Sequence, residues 1–284
     1  MPTARLHTGD CRTVLPRLAA ASFDCCICDP VYPGIVREYG TWNEEEWFDL
    51  MNAIVPQVRR VLKPSGSAVF ILQPNAEKAG RMRLWLWEFI TTWGRKWGLV
   101  QDCYQWNYAQ LPFGAATTCG LMRSSVKYCV WLGNPDCYRN QEAVLIAESD
   151  TSRYRRSILR NAKATGYTSP SASKRRTDTP RLNQARCYSA AKRRGGVTPF
   201  NLIPATNTKN APGETGSGHP ARTSEDVVRF WIRYICPPGG SVLDPFAGAG
   251  TTLDVAVEEG RSAVGIELCA EYVAAYTKAV LKRA

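Results

Sequence analysis

The sequence predicts an α/β protein built on a mostly parallel sheet. Two observations carry that expectation. Short apolar runs that read as strands alternate with helical patterns along most of the 284 residues. One of these runs, Ser241-Val242-Leu243-Asp244-Pro245-Phe246-Ala247-Gly248-Ala249-Gly250-Thr251-Thr252, passes from a strand through glycines into a helix. Glycines permit a tight turn and close backbone approach there.

Taken in order, Arg5 to His7 begins a first strand that ends at Thr8-Gly9-Asp10-Cys11, and a helix is expected from about Thr13 to Ala20. Phe23 to Cys28 is the second strand. It runs into Asp29-Pro30-Val31-Tyr32-Pro33-Gly34, where two prolines and a glycine stop regular structure. Glu44 to Leu62 reads as a helix closed by Lys63-Pro64-Ser65-Gly66, and Ser67 to Leu72 as the third strand. A helix is expected over Ala76 to Trp97. Its Trp85, Phe89, Trp93 and Trp97 recur at four-residue spacing, which suits a packed core face better than a base-stacking platform. Leu99 to Trp106 and Val126 to Leu132 read as strands around a small-residue loop, Pro112 to Cys119.

Periodicity fades over 134 to 218, apart from a helical pattern at Ser152 to Ala162. Thr223 or Ser224 then caps a helix whose apolar face is Val227, Val228, Trp231, Ile232 and Ile235. Pro237-Pro238-Gly239-Gly240 ends it. After Thr252 come a helix over Leu253 to Glu259, a strand over Ser262 to Glu267 and an amphipathic helix over Ala270 to Arg283. Seven strands are expected in all, and there is no internal repeat. The expected organisation is a core made of residues 1–133 and 218–284, with 134–217 inserted between them.

Composition narrows the classes. No apolar run is long enough to span a bilayer, and Met1-Pro2-Thr3-Ala4-Arg5 does not open a signal peptide. A cytoplasmic protein is expected. Cys25, Cys26 and Cys28 share one short strand whose alternate side chains face opposite ways, and the only histidines are His7 and His219. No metal site is therefore expected, and the eleven cysteines read as small buried apolar residues in a reducing compartment. The net charge of +11 is uneven. Residues 151–200 hold 13 Lys and Arg against one acid, Asp178, while the rest of the chain has 23 basic and 24 acidic residues. A near-neutral core with one basic segment suggests a polyanionic partner.

The Gly248–Gly250 turn lacks the third glycine of a dinucleotide fingerprint, since Leu253 stands there, and lacks the Gly-Lys-Ser/Thr of a phosphate loop. Glu267 ends the following strand, where an acid is placed to bind ribose hydroxyls. The unit suits an adenosine-bearing cofactor without a pyrophosphate grip. An ordinary strand-turn-helix is the bland alternative, as a plain β-turn is for Asp29-Pro30-Val31-Tyr32.

These two loops, in this order, resemble the beta-class S-adenosylmethionine-dependent amino-methyltransferases of DNA. Those carry an acid-Pro-Pro-Tyr loop and a Phe-x-Gly-x-Gly loop. The resemblance covers about residues 4–133 and 218–284, and implies a circularly permuted Rossmann-like methyltransferase fold with a target-recognition region inserted at 134–217. It implies S-adenosylmethionine as cofactor, S-adenosylhomocysteine as product and double-stranded DNA as partner, for a monomer or homodimer. In this chain Val31 replaces the second proline, and Ala221-Arg222-Thr223-Ser224 follows Gly218-His219-Pro220 where the family often has Thr-x-Lys-Pro. The implied cofactor residues are Asp10, Cys11, Asp29, His219, Asp244, Pro245, Phe246, Ala247, Gly248, Gly250, Thr251, Thr252, Glu267 and Leu268. The implied catalytic residues are Asp29, Pro30 and Tyr32. The Asp29 carboxylate and the Pro30 carbonyl would accept the hydrogens of an exocyclic amine and aim its lone pair, while Tyr32 would stack on a flipped base. No Pro-Cys dipeptide occurs, so methylation at cytosine carbon 5 is not expected.

Three basic clusters would hold the DNA: Arg153, Arg155 and Arg156; Lys174, Arg175 and Arg176; Lys192, Arg193 and Arg194. Adenine N6 is the expected target, because Asp heads this loop more often in adenine enzymes. Cytosine N4, a catalytically dead DNA-binding protein on this fold, and a methyltransferase of RNA or protein are the alternatives. A solitary enzyme of a bacterium or phage is expected, with no visible restriction partner.

Overall fold

Eight strands form one sheet in the computed structural model, which describes residues 1–37, 40–77, 80–106, 124–146, 193–205 and 223–283. The chain divides into two compact units, one of residues 1–140 with 201–284, the other of residues 141–200.

In the larger unit, Ala4–Thr8 (β1) leads into a short helix, Cys11–Val14 (α1), capped by the Asp10 side chain on the Arg12 amide. A 3-10 turn over Leu15–Arg17 completes it, so the longer helix expected to Ala20 does not form; Pro16 sits where that turn begins. Phe23–Cys28 (β2) is buried along its whole length. Val36–Arg37 (β3) and Gly40–Thr41 (β4) form a small separate pair. Glu44–Val61 (α2) starts with a reciprocal capping box between Asn43 and Glu46, with three acids in its positive first turn. Its buried stripe of Trp47, Leu50, Met51, Ile54, Val55, Val58 and Val61 faces the sheet.

Leu62–Leu72 (β5) follows at once, and Lys63 to Gly66 bulge out between the pairings Phe23–Leu62 and Cys25–Ser67. The next helix, Trp85–Trp93 (α3), is shorter than expected. Ala76 instead forms an isolated antiparallel bridge with Met82, and Gly80 takes a left-handed φ of 85° that breaks a helix. Trp85, Phe89, Trp93 and Trp97 are all buried in the core. Leu99–Trp106 (β6) and Val126–Gly133 (β7) pair antiparallel. Leu202–Pro204 (β8) is the eighth strand; three residues are too few to show the period of a strand, which is why seven were expected. Glu225–Ile235 (α4), Ser241–Asp244 (β9), Thr251–Glu258 (α5), Ser262–Glu267 (β10) and Ala270–Arg283 (α6) complete the unit.

The sheet order is β1-β10-β9-β2-β5-β7-β6-β8, and only β7 runs antiparallel to its neighbours. The strand order reverses between β9 and β2, and in open α/β sheets that crevice is where ligands bind. The register is consistent with one buried face on each side. Cys26 and Cys28 pack with α2 and α3, while Cys25 and Ile27 pack with α4 and α5. Among the described residues the cysteines are unpaired, and no cluster of metal-ligating side chains occurs. No helix of the described residues is long and apolar enough to cross a membrane.

In the smaller unit, Ile146 and Val197 pair through both backbone bonds. Arg194 donates to Glu142 at 2.8 Å, to Gln141 at 2.7 Å and to Thr198 at 3.2 Å.

Candidate active site

Four neighbouring parallel strands, β1, β10, β9 and β2, end at one edge of the sheet, so their following residues meet there. Register puts Thr8 beside Glu267 and Asp244 beside Gly265. Asp29 comes one residue after β2. Together these strand ends line a cleft of about 1120 Å³, its open mouth included. Asp10, Cys11, Asp29, Pro30, Tyr32, Asp244, Pro245, Phe246, Ala247, Gly248, Thr251, Thr252, Glu267 and Leu268 all line it.

Gly250 belongs to the same loop and not to the lining. Its φ is 82°, and a Cβ there would meet the Tyr276 ring at 2.3 Å, so glycine serves the packing of α6. His219 lies outside the described residues, as do Arg153, Arg155, Arg156, Lys174, Arg175, Arg176 and Lys192. Arg193 is exposed in the smaller unit.

The glycine loop is fastened by two acids. Asp244 accepts from the Phe246 amide at 3.0 Å. Glu267 accepts from the Gly248 amide and the Cys269 amide, each at 2.8 Å and each on a different oxygen. A carboxylate can take about four hydrogen bonds, so each Glu267 oxygen keeps a position for a further donor such as a ribose hydroxyl. Asp10 is held by the Arg12 guanidinium through several bonds, and that bonding keeps its carboxyl below the usual range. Arg12 also lies 6.0 Å over the Trp42 ring at the cleft wall. Burial pushes the Cys11 thiol up to about 12, so it is a neutral wall.

Asp244 is 3% exposed, and no cation among the described residues pairs with it. Burial pushes its pKa up to about 7; bonds from Thr252 and the Phe246 amide pull the other way, and the charges of Glu267 and Asp29 add to the push. Such a site suits a cationic ligand and opposes a phosphate.

The loop after β2 is organised around Asp29. The Tyr32 hydroxyl donates to Asp29 Oδ1. Lys127 Nζ donates to Asp29 Oδ2 at 2.7 Å, and Thr223 Oγ1 reaches the same oxygen at 3.4 Å. Lys127 lies 5.6 Å from the centre of the Tyr32 ring, which also stacks near Trp85. Val31 carries no proline ring, yet its carbonyl is fixed by the Trp47 indole at 2.7 Å, and Asn75 holds the Pro33 carbonyl at 2.6 Å. Burial, and then the facing carboxylate, push the Tyr32 hydroxyl well above its ordinary value, so it remains a donor.

Lys127 escaped the sequence reading. It enters from β7, whose antiparallel course brings its first residues to the same edge. A lone Lys at the start of a strand carries no motif. Of the two cap candidates, Thr223 and Ser224, the capping position belongs to Ser224, whose side chain makes no capping bond.

A doubly wound sheet whose glycine loop opens on an acidic, cation-seeking cleft defines the class of S-adenosylmethionine-dependent methyltransferases. The chain belongs to the N6/N4 methyltransferase family, described as DNA methylase, which matches residues 23–278. It is a DNA amino-methyltransferase, and its cofactor is S-adenosylmethionine. Among its relatives are the DNA adenine methyltransferase YhdJ of Escherichia coli K12, 25% identical over 93% of this chain and 78% of that one. The type II methyltransferase M.PvuII of Proteus hauseri is 25% identical over 95% of this chain and 81% of that one. The solved PvuII DNA methyltransferase, titled cytosine-N4-specific, superposes with a TM-score of 0.69 at 20% identity over 98% of this chain and 86% of that one. A complex of M1.HpyAVI with its cofactor gives 0.56 at 15% identity, over 98% of both chains.

Proposed function

We propose that this enzyme methylates adenine N6 in double-stranded DNA, with Asp29, Pro30 and Tyr32 at the reacting base. The observation that carries the site is the Asp29 carboxylate, aimed into the cleft beside the glycine loop and gripped from three sides. Bound there, S-adenosylmethionine supplies a methyl group on a sulfonium.

An exocyclic amine is a poor nucleophile because its lone pair is delocalised into the ring. Asp29 and the Pro30 carbonyl accept its two hydrogens and draw the nitrogen towards tetrahedral geometry. That turns the lone pair towards the methyl group, and most of the catalysis is this positioning. Glu267 binds the ribose, Asp244 and the Gly248 backbone face the methionine part, and Cys11 with Leu268 walls the adenine. The base leaves the duplex to reach Asp29. DNA is held by the basic stretch 151–200 within an inserted recognition region over 134–217, and the protein works in the cytoplasm of a bacterium or of a phage-infected cell.

Adenine is favoured by Asp at the head of the loop and by the adenine enzyme among the relatives. Cytosine N4 is the second reading, favoured by the cytosine-N4-specific structure. Tritium transfer from S-adenosylmethionine into DNA, followed by nucleoside analysis, tests both. N6-methyladenine is expected; N4-methylcytosine would reverse the choice of base, and no label would remove the activity.

A further inference from the structure

Lys127 has no role in the chemistry described so far, yet it is the nearest cation to Asp29. It stands 2.7 Å from Oδ2, lines the same cleft and is 19% exposed. A Lys seldom occupies so enclosed a place without a specific partner. Other charged or titratable groups face this pair from several elements. Tyr32 lies on the same loop as Asp29, Asp244 ends β9, and the Cys28 and Cys129 thiols lie on β2 and β7. Burial alone would push the Lys127 ammonium down; the charges and bonds of Asp29 and Tyr32 outweigh it, so the side chain stays a cation and a donor.

An ammonium has three N–H donors. One is given to Asp29 and one faces Tyr32. No further acceptor for the third is found among the described residues, and Lys127 lines the cleft.

We infer that Asp29 and Lys127 together read the Watson–Crick edge of the flipped base, Asp29 accepting from the exocyclic amine and Lys127 donating to the ring nitrogen beside it. This rests on the methyltransferase reading above. The distance from Lys127 Nζ to Asp29 Oδ2 is of the same scale as the span between neighbouring hydrogen-bonding atoms on a base edge. Adenine offers an amine next to the unprotonated N1, and cytosine an amine next to the unprotonated N3. Both present a donor beside an acceptor, which an acceptor–donor pair matches. Guanine and thymine present the reverse, a carbonyl beside a ring N–H, and would set oxygen against Asp29 and hydrogen against Lys127. Repulsion of that kind rejects a base more strongly than a missing contact does. Lys127 would also occupy the ring-nitrogen lone pair, which in a free base is the more nucleophilic site, and leave the amine as the atom to be methylated.

The test uses duplexes carrying the methylation site mapped on DNA modified by the protein, with the target base natural or replaced by its deaza analogue. In 1-deazaadenine or 3-deazacytosine a C–H replaces the ring nitrogen and the amine remains. Wild type should prefer the natural base by about ten- to hundredfold in kcat/KM. Lys127→Met should be slow on both and show no preference, and Lys127→Arg should restore the preference. Thermal unfolding of each variant confirms that it is folded, and the wild-type preference stands without any variant. If wild type ignores the deaza change, or if Lys127→Met keeps the same preference ratio, the inference is wrong while the methyltransferase reading survives. If wild type methylates neither duplex, that reading falls, and this one with it.

Discussion

The two ends of β2 carry the same chemistry in opposite service. At its start, Asp24 accepts from Lys63 Nζ at 2.9 Å, from the Ser241 amide at 2.8 Å and from the Ser241 hydroxyl at 3.1 Å. At its finish, Asp29 accepts from Lys127, Tyr32 and Thr223. Asp24 is buried and Asp29 partly so, and each is paired with a Lys from a strand further along the sheet. Asp24 ties β2 to β5 and β9 at the edge where these parallel strands begin, and it is not among the residues that line the cleft. Asp29 sits at the edge where the strands end and the chain order reverses. The difference is topological: only the carboxyl edge of a parallel sheet splays its loops apart and leaves donors and acceptors facing a space. An acid at one end of β2 therefore holds the fold, and an acid at the other end meets the substrate.

The largest expected effect separates the two. Asp29→Ala should lower methyl transfer by at least about a thousandfold, while calorimetry still finds S-adenosylmethionine bound. Retained turnover would end the assignment of Asp29. At the neighbouring strand end, Glu267→Ala should weaken cofactor binding by about ten- to hundredfold, because a charged acceptor and its ribose bonds are lost. It also frees the Gly248 and Cys269 amides, so the loop loosens as well. Equal affinity in wild type and variant would detach that acid from the ribose. Asp24→Ala should do the converse. Denaturant unfolding should report a loss of about 2–3 kcal/mol, with kcat on DNA unchanged for the folded fraction. A stability loss from Asp29→Ala as large as that from Asp24→Ala, with activity intact, would erase the contrast between the two ends.

The cleft end of this contrast was legible in the chain, and the Asp24 end was not. The Asp29-Pro30-Val31-Tyr32 and Asp244–Thr252 loops announced themselves because prolines and glycines interrupt apolar strands at short range, and local pattern records local backbone geometry. What stayed hidden came from pairing across distance. Lys127 reaches Asp29 only because β7 runs against its neighbours, and nothing in the residues around it encodes that partner. The same holds for Asp24 and Lys63, joined across a bulge. Gly250 was legible as a special backbone position, yet the reason for it, the Tyr276 ring from α6, is again a long-range contact. The bridge between Ala76 and Met82 departs from the expected helix because the aromatic spacing of α3 does not carry back through Gly80, whose φ is 85°.

The smallest expected effect lies between the two ends, at Asp244. It is buried like Asp24 and lines the cleft like Asp29, but no Lys or Arg among the described residues offsets its charge. Its pKa of about 7 in the folded protein stands above the ordinary 3.8. As pH rises from about 4 to about 7, the unfolded chain gives up this proton before the folded one does. The folded state therefore binds more protons over that window, and the Asp244 contribution to stability falls as pH rises, then levels off above about 7. A cation in the cleft favours the ionised form, so binding S-adenosylmethionine should release a proton from Asp244. Its affinity should then rise by a fewfold as pH rises through 7, whereas S-adenosylhomocysteine, with a neutral sulfur, should follow with a weaker dependence. Asp244→Asn, which cannot ionise, should flatten both the stability and the affinity profiles. Titration calorimetry in two buffers of different ionisation enthalpy counts the proton directly. If no proton is released near pH 7, or if the Asn variant keeps the wild-type slope, Asp244 belongs with Asp24 as a structural acid and the cation site lies elsewhere.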